Sequence, residues 1–243
     1  MPPRPAKRPP RPLLLARRKL LLALAGAIVL VVVLVVASLA FRGSDDEGSA
    51  VVPTERDSSE YLDGIPQNGA ILGDPGASLT LIQYEDLQCP ICKQYTEGGF
   101  EGIVAEYVRS GDVKIRFVGL AFIGPDSEKA LRYVLAAGEQ GKLWQMNDTL
   151  YRRQGDENAG WVTDGLLENV AVELELDFAK LRTDASSASV TQTLDSMSAE
   201  ATRREIPGTP WFYVQVGDGD PYEVRPTSLD FGAFESILDA ARG

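Results

Sequence analysis

Cys89 and Cys92, within EDLQCPICKQY at residues 85–95, are the only cysteines of a 243-residue chain. Three positions apart, they are too close in sequence to staple a core. Metal binding, cofactor attachment and thiol–disulfide exchange are the chemistries to weigh. A structural zinc site takes about four protein ligands and a catalytic one about three, and this chain has no histidine. Covalent haem attachment asks for histidine directly after the second cysteine, where Lys93 stands. Iron–sulfur clusters commonly use four cysteine ligands. The pair is therefore a redox dithiol or inert, and no metal or cofactor is expected beyond a redox-active Cys89–Cys92 disulfide.

The surrounding elements decide between these two. LTLIQY, residues 79–84, is a short β-rich run after the turn-forming Asp74-Pro75-Gly76. Past the cysteines, Phe100, Ile103, Val104, Tyr107 and Val108 recur at the spacing of a buried helical stripe. The pair thus sits at a strand-to-helix junction. A thiolate there faces unpaired backbone N–H groups and the positive end of the helix dipole, both of which lower its pKa. Pro90 fits just inside the helix start, where no N–H is needed. Cys89 is then the exposed attacking sulfur. Cys92, one turn on and deeper, is the resolving one that releases a mixed disulfide.

Further along, Ser110-Gly111-Asp112 ends the helix and VKIRFV, residues 113–118, alternates as a half-buried strand, closing a β-α-β unit. Helical patterns follow over 127–140, 141–154 and 163–175. Asp177 reads as an N-cap, and Val190, Leu194, Met197 and Ala201 keep helical spacing up to Pro207. WFYVQV (211–216) and YEVR (222–225) form a hairpin across a Gly-Asp-rich turn, and Phe231, Phe234, Ile237, Leu238 and Ala241 give a final helix its buried face. The fold class is α/β, with a central mixed sheet flanked by helices and a helical insertion at about residues 122–205.

The N-terminus has a different character. Residues 1–19 are a basic segment read as cytoplasmic, and Leu20 to Phe41 is an uncharged run long enough to cross a membrane once. Arg17-Arg18-Lys19 before it and GSDDEGS after it orient the helix with the N-terminus in the cytoplasm and the rest outside. Ser38-Leu39-Ala40 offers the competing reading of a cleavage site after Ala40, although this apolar run exceeds a usual signal peptide. Residues 42–68 read as a flexible linker, leaving 69–243 as the folded domain. Eight of the 24 basic residues lie in the first 42 positions and all 35 acidic ones come later. So acidic a domain repels polyphosphate, which excludes nucleic acid as a partner.

The Cys89-Pro90-Ile91-Cys92 motif between strand and helix, with Gly208-Thr209-Pro210 leading into a later strand, resembles the thioredoxin superfamily. The helical block between the two sheet halves is similar to its DsbA-like branch, over about residues 66–243. The resemblance implies a thioredoxin-like fold, a cis Thr209–Pro210 bond against the cysteines, and pairing of the Thr209 backbone with an extended substrate. This sequence departs from the pattern in three places. Ile91 stands where Gram-negative DsbA proteins commonly carry histidine, which implies a milder oxidant. Gln83 occupies the position, six before the first cysteine, where many relatives bury a carboxylate. Glu85 or Asp86 could take over that proton-shuttling task, or each could be a solvated loop or capping residue. Trp211, directly after the proline, either lines a substrate groove or fills the core. Tyr84, Trp144 and Tyr151 read as packing residues.

Together these features predict an extracytoplasmic thiol–disulfide oxidoreductase, a monomer held at the cell membrane by one helix. It would pass the Cys89–Cys92 disulfide to exported proteins with free thiols and be reoxidised by a membrane quinone-linked thiol oxidase. Two alternatives share much of the sequence: a reductase of exported thiols such as apocytochromes, and a non-catalytic thioredoxin-like binding module with a vestigial pair.

Overall fold

The computed structural model describes residues 60–243. The expected basic segment 1–19, spanning helix 20–41 and linker residues 42–59 lie outside them. Among the described residues no helix is long and apolar enough to cross a membrane.

Six strands form one mixed sheet: β1 (Gln67–Asn68), β2 (Ile71–Leu72), β3 (Leu79–Asp86), β4 (Val113–Leu120), β5 (Trp211–Val216) and β6 (Tyr222–Val224), in the order β1-β2-β4-β3-β5-β6. β3 pairs in parallel with β4 and antiparallel with β5. It is the central strand, and all eight of its residues, LTLIQYED, are buried. A parallel pair needs a long crossover, supplied by helix α1, residues 90–108. Its α-helical turns Pro90–Tyr95 and Glu101–Ile103 alternate with π-helical turns Thr96–Phe100 and Val104–Val108. The stripe Phe100, Ile103, Val104, Tyr107 and Val108 is buried as its spacing predicts.

The insertion is built from α2 (Pro125–Gly138), α3 (Leu143–Arg152), α4 (Asp164–Glu173), α5 (Phe178–Ala185) and α6 (Ala188–Arg203). The side chains of Thr163, Asp177 and Ser187 each accept a backbone N–H at the starts of α4, α5 and α6, so these helices begin where the polar residues fall. α2 and α6 pack on β4, and α2 also packs on α3 and α5. The last helix, α7 (Phe231–Arg242), packs on α1 and β5. Gly99 and Gly102 of α1 make that contact possible: a Cβ on Gly102 would lie 2.5 Å from the Phe231 ring, and one on Gly99 2.5 Å from the Leu229 carbonyl. Tyr95, Phe212 and Phe234 meet beneath the dithiol with ring centroids 4.8 to 5.1 Å apart.

One boundary differs from the sequence expectation. Residues 60–68 were expected to belong to a flexible linker, yet a 3-10 turn at Glu60–Leu62 opens the described chain and Leu62 is fully buried. The Tyr61 hydroxyl donates to Asp148 on α3 at 2.8 Å, and β1 joins the sheet edge. Tyr61, Leu62 and Ile65 stand among six polar or turn-forming residues in EYLDGIPQN, and neither a helical nor a strand period can develop over so few positions, which hid this short anchor.

Candidate active site

Cys89 is the N-cap of α1, in an extended conformation, with Pro90 in the first helical position. The two cysteines are free thiols in this structure. Cys92 is wholly buried and Cys89 is 6% exposed, so the attacking sulfur expected to be exposed belongs to a residue that is itself largely buried. The loop carrying the cis Thr209–Pro210 bond lies against it. The Cys89 thiol donates to the Thr209 carbonyl at 3.3 Å. Ile91 turns outward, 44% exposed.

The two sulfurs are driven apart in acidity. Cys89 is lowered to about 6, first by the hydrogen bond from Cys92, against the opposing effect of burial, then by the Thr209 side chain and the backbone N–H groups of Cys92 and Ile91 at the open helix start. Burial pushes Cys92 well above the ordinary thiol value, reinforced by donation to Cys89 and by the charge of Glu85. At neutral pH the reduced pair therefore holds one thiolate, on Cys89, and one thiol, on Cys92.

Glu85 is the titrating group behind them. It is 1% exposed, and neither carboxyl oxygen has a hydrogen-bond partner. Burial raises it to about 8; the facing Tyr151 hydroxyl and Asn147 amide ease this slightly and the Cys89 charge adds to it. The polar atoms of those two neighbours, Asn147 Oδ1 and Tyr151 OH, are themselves buried and unpaired. Glu85 is thus a neutral acid at pH 7 in a buried polar pocket shared by the sheet and α3. The solvated-loop reading of Glu85 is overturned, because β3 stays covered on both faces to its last residue. Side chains alternate along a strand, so Glu85 occupies the same face as Gln83. Position 83 itself is occupied by a different bond: the Gln83 amide oxygen accepts the Tyr95 hydroxyl at 2.9 Å.

Asp86 has the capping character expected of it, fully buried rather than solvated. Its carboxylate accepts the backbone N–H groups of Gln88, Phe122 and Ile123 and the Ser127 hydroxyl, locking the turn before Cys89 onto the start of α2. Residues not singled out by the sequence complete this frame. Gln154, just after α3, donates to the carbonyls of Leu87 and Cys89 at 2.8 and 3.1 Å. The Gln88 side chain accepts the Asn158 N–H at 2.6 Å and donates to Ser127 at 3.0 Å. Gln154 and Asn158 lie in the polar run RRQGDEN, where nothing in the sequence sets them apart from their neighbours. Trp211 is half-buried with the Arg225 guanidinium 4.9 Å from its ring centre, so it is neither bare groove wall nor sealed core. Tyr84, Trp144 and Tyr151 are fully buried packing residues. Among the described residues no group of three metal-ligating side chains occurs.

A dithiol at a helix start, beside a cis proline that leads into the neighbouring strand of a mixed sheet, defines a thioredoxin-like protein, and residues 66–234 match the family model described as Thioredoxin. The chain belongs to that family. Among its relatives is the probable disulfide bond formation protein D of Bacillus anthracis, 26% identical over 176 residues, which span 69% of this chain and 76% of that one. Disulfide bond formation protein D of Bacillus subtilis is 29% identical over 150 residues, 59% of this chain and 66% of the relative. The crystal structure of oxidised BdbD from Bacillus subtilis shares the fold with a TM-score of 0.63 at 23% identity, covering 74% of this chain and 97% of that one.

Proposed function

We propose that this chain is an extracytoplasmic thiol–disulfide oxidoreductase that donates the Cys89–Cys92 disulfide to exported proteins with free thiols. The observation that carries the reading is the split acidity of the two sulfurs: a thiolate stabilised on Cys89 favours the reduced pair, which makes the disulfide a donor of oxidation. The relatives named for disulfide bond formation support the same direction.

In the first step a substrate thiolate attacks the Cys89 sulfur. The Cys89–Cys92 bond breaks, and the Cys92 sulfur leaves with the electron pair. Buried and disfavoured as an anion, it takes the proton of neutral Glu85, whose carboxyl is the weaker base of the two. A second thiolate of the substrate then attacks the substrate sulfur of the mixed disulfide. Cys89 departs as the thiolate that its surroundings favour, the substrate keeps the new disulfide, and two electrons remain in the dithiol. Solvent restores the Glu85 proton. Thr209 and Pro210 border the sulfur on the side where an extended substrate backbone would lie.

In this reading the chain acts as a monomer, needs no cofactor, is tethered by residues 20–41 and is reoxidised by a membrane quinone-linked thiol oxidase. The apolar run and its flanking charges support the tether. Cys92→Ser, expressed in an exporting cell, removes the resolving thiol and is expected to accumulate mixed disulfides on Cys89 that reducing agent dissolves. Absence of such adducts contradicts the proposal.

A further inference from the structure

Resting on that reading, we infer that the cleft between the end of β4, α2 and α6 is a subsite for the exchanging polypeptide, taking an aliphatic or aromatic side chain that lies near a lysine or arginine. The cleft has a volume of about 320 Å³. One side of it is apolar, formed by Leu120 at the end of β4, Phe122 just past it, Leu131 of α2, Leu194 of α6 and Ile206 beyond it, while Ser198 and Thr202 of α6 add hydroxyls. It opens at the carboxyl ends of the parallel strands β3 and β4, where open α/β sheets bind their ligands.

Two of its walls are tied to the loops that hold the reactive sulfur. Ile206 lies three residues before Thr209, whose carbonyl accepts the Cys89 thiol. The Phe122 N–H donates to Asp86, whose own carbonyl accepts the Cys89 N–H. A chain extending from a cysteine engaged with Cys89 gains about 3.3 Å per residue, so three or four residues carry a side chain roughly 10 to 13 Å from the sulfur. Phe122 is 57% exposed on its rim, a large apolar surface beside the site.

The rim is acidic. Glu128 and Glu205 line the cleft, and Glu205 has no ion-pair partner among the described residues, while Glu128 pairs with Arg132. Glu205 takes a left-handed conformation, φ 54°, directly after α6. The Ile206 N–H returns to the Ala201 carbonyl and the Glu205 N–H to Thr202, closing the helix end. That turn folds Ile206 into the wall and leaves the Glu205 carboxylate at the edge. An apolar floor with an uncompensated acid above it complements an apolar residue accompanied by a cation.

The test uses the oxidised full-length chain and two sets of short single-cysteine peptides. One set carries leucine and lysine three or four residues from the cysteine, on either side; the other carries alanine and glutamate there. Mixed-disulfide formation with the first set is expected to be roughly ten-fold faster or more. Thr202→Trp, from an exposed position on α6, fills the cleft and should remove the preference for leucine. Glu205→Gln should cut the preference for lysine and its salt dependence. Equal rates for the two sets, or preferences that survive both substitutions, overturn the subsite. Failure of every peptide to form an adduct on Cys89 instead overturns the oxidoreductase reading on which it rests.

Discussion

Glu85 and the two sulfurs make the residue-scale account testable. Glu85→Gln keeps the shape and removes the proton, so the rate at which Cys92 is released from the disulfide is expected to fall and to lose its inflection near pH 8. Stopped-flow fluorescence across pH 6 to about 9 reads this; an unchanged inflection assigns it to another group. Cys89 has a depressed pKa in the folded, reduced chain, so its thiolate contributes stability that is fully present above the ordinary thiol value and lost as pH falls through about 6. The oxidised chain has no such group. The stability gained by reduction should therefore shrink steadily as pH is lowered through this window, measured by urea denaturation of both forms. The cysteines and the cis proline were legible in the sequence because their types and spacing are rare. Glu85 was ambiguous, since whether the end of β3 is covered depends on α3, some sixty positions away.

At the scale of elements, helix periods and caps announced nearly every helix, whereas the π-helical turns of α1 did not. The first of those turns contains Gly98 and Gly99, and Gly102 lies between the two; their meaning lies in the chain around α7, more than a hundred residues on. Gly102→Ala sets a methyl group against the Phe231 ring and is expected to destabilise the chain by about 1–3 kcal/mol, read as a lower urea midpoint. The segment after α3 tests the coupling of insertion to catalytic turn. Gln154→Ala leaves the Leu87 carbonyl without that donor and takes one from Cys89, which should cost about 1–2 kcal/mol and raise the Cys89 pKa, followed by thiolate ultraviolet absorbance. Loss of stability with an unmoved pKa would mean that Gln154 holds the loop without tuning the sulfur.

For the whole molecule, the buried acids set an unusual pH dependence. Glu85 and Asp148 are both raised by burial, to about 8 and about 6. Each keeps a proton in the folded chain at a pH where the unfolded chain has lost it, so stability declines as pH rises from the ordinary carboxylate range through those values. Glu200 is opposite: held by Arg116 and Tyr84, it is lowered to about 2, and its contribution fades as pH falls below the ordinary carboxylate value. The oxidised chain should be most stable in mildly acidic solution, and Glu85→Gln should flatten the alkaline side. The split between sheet and insertion was readable from element order, but the placing of these acids was not, because burial of a carboxyl is decided by packing between distant segments.

The most direct test of disulfide donation is the redox equilibrium of Cys89–Cys92 with glutathione. A thiolate pKa of about 6 lies between the values of about 7 for thioredoxin and about 3.5 for DsbA. The account accordingly predicts a potential between about −120 and −220 mV, on the oxidising side of thioredoxin. A potential at or below about −270 mV would show that the pair retains its disulfide, and would contradict donation in favour of a reductase.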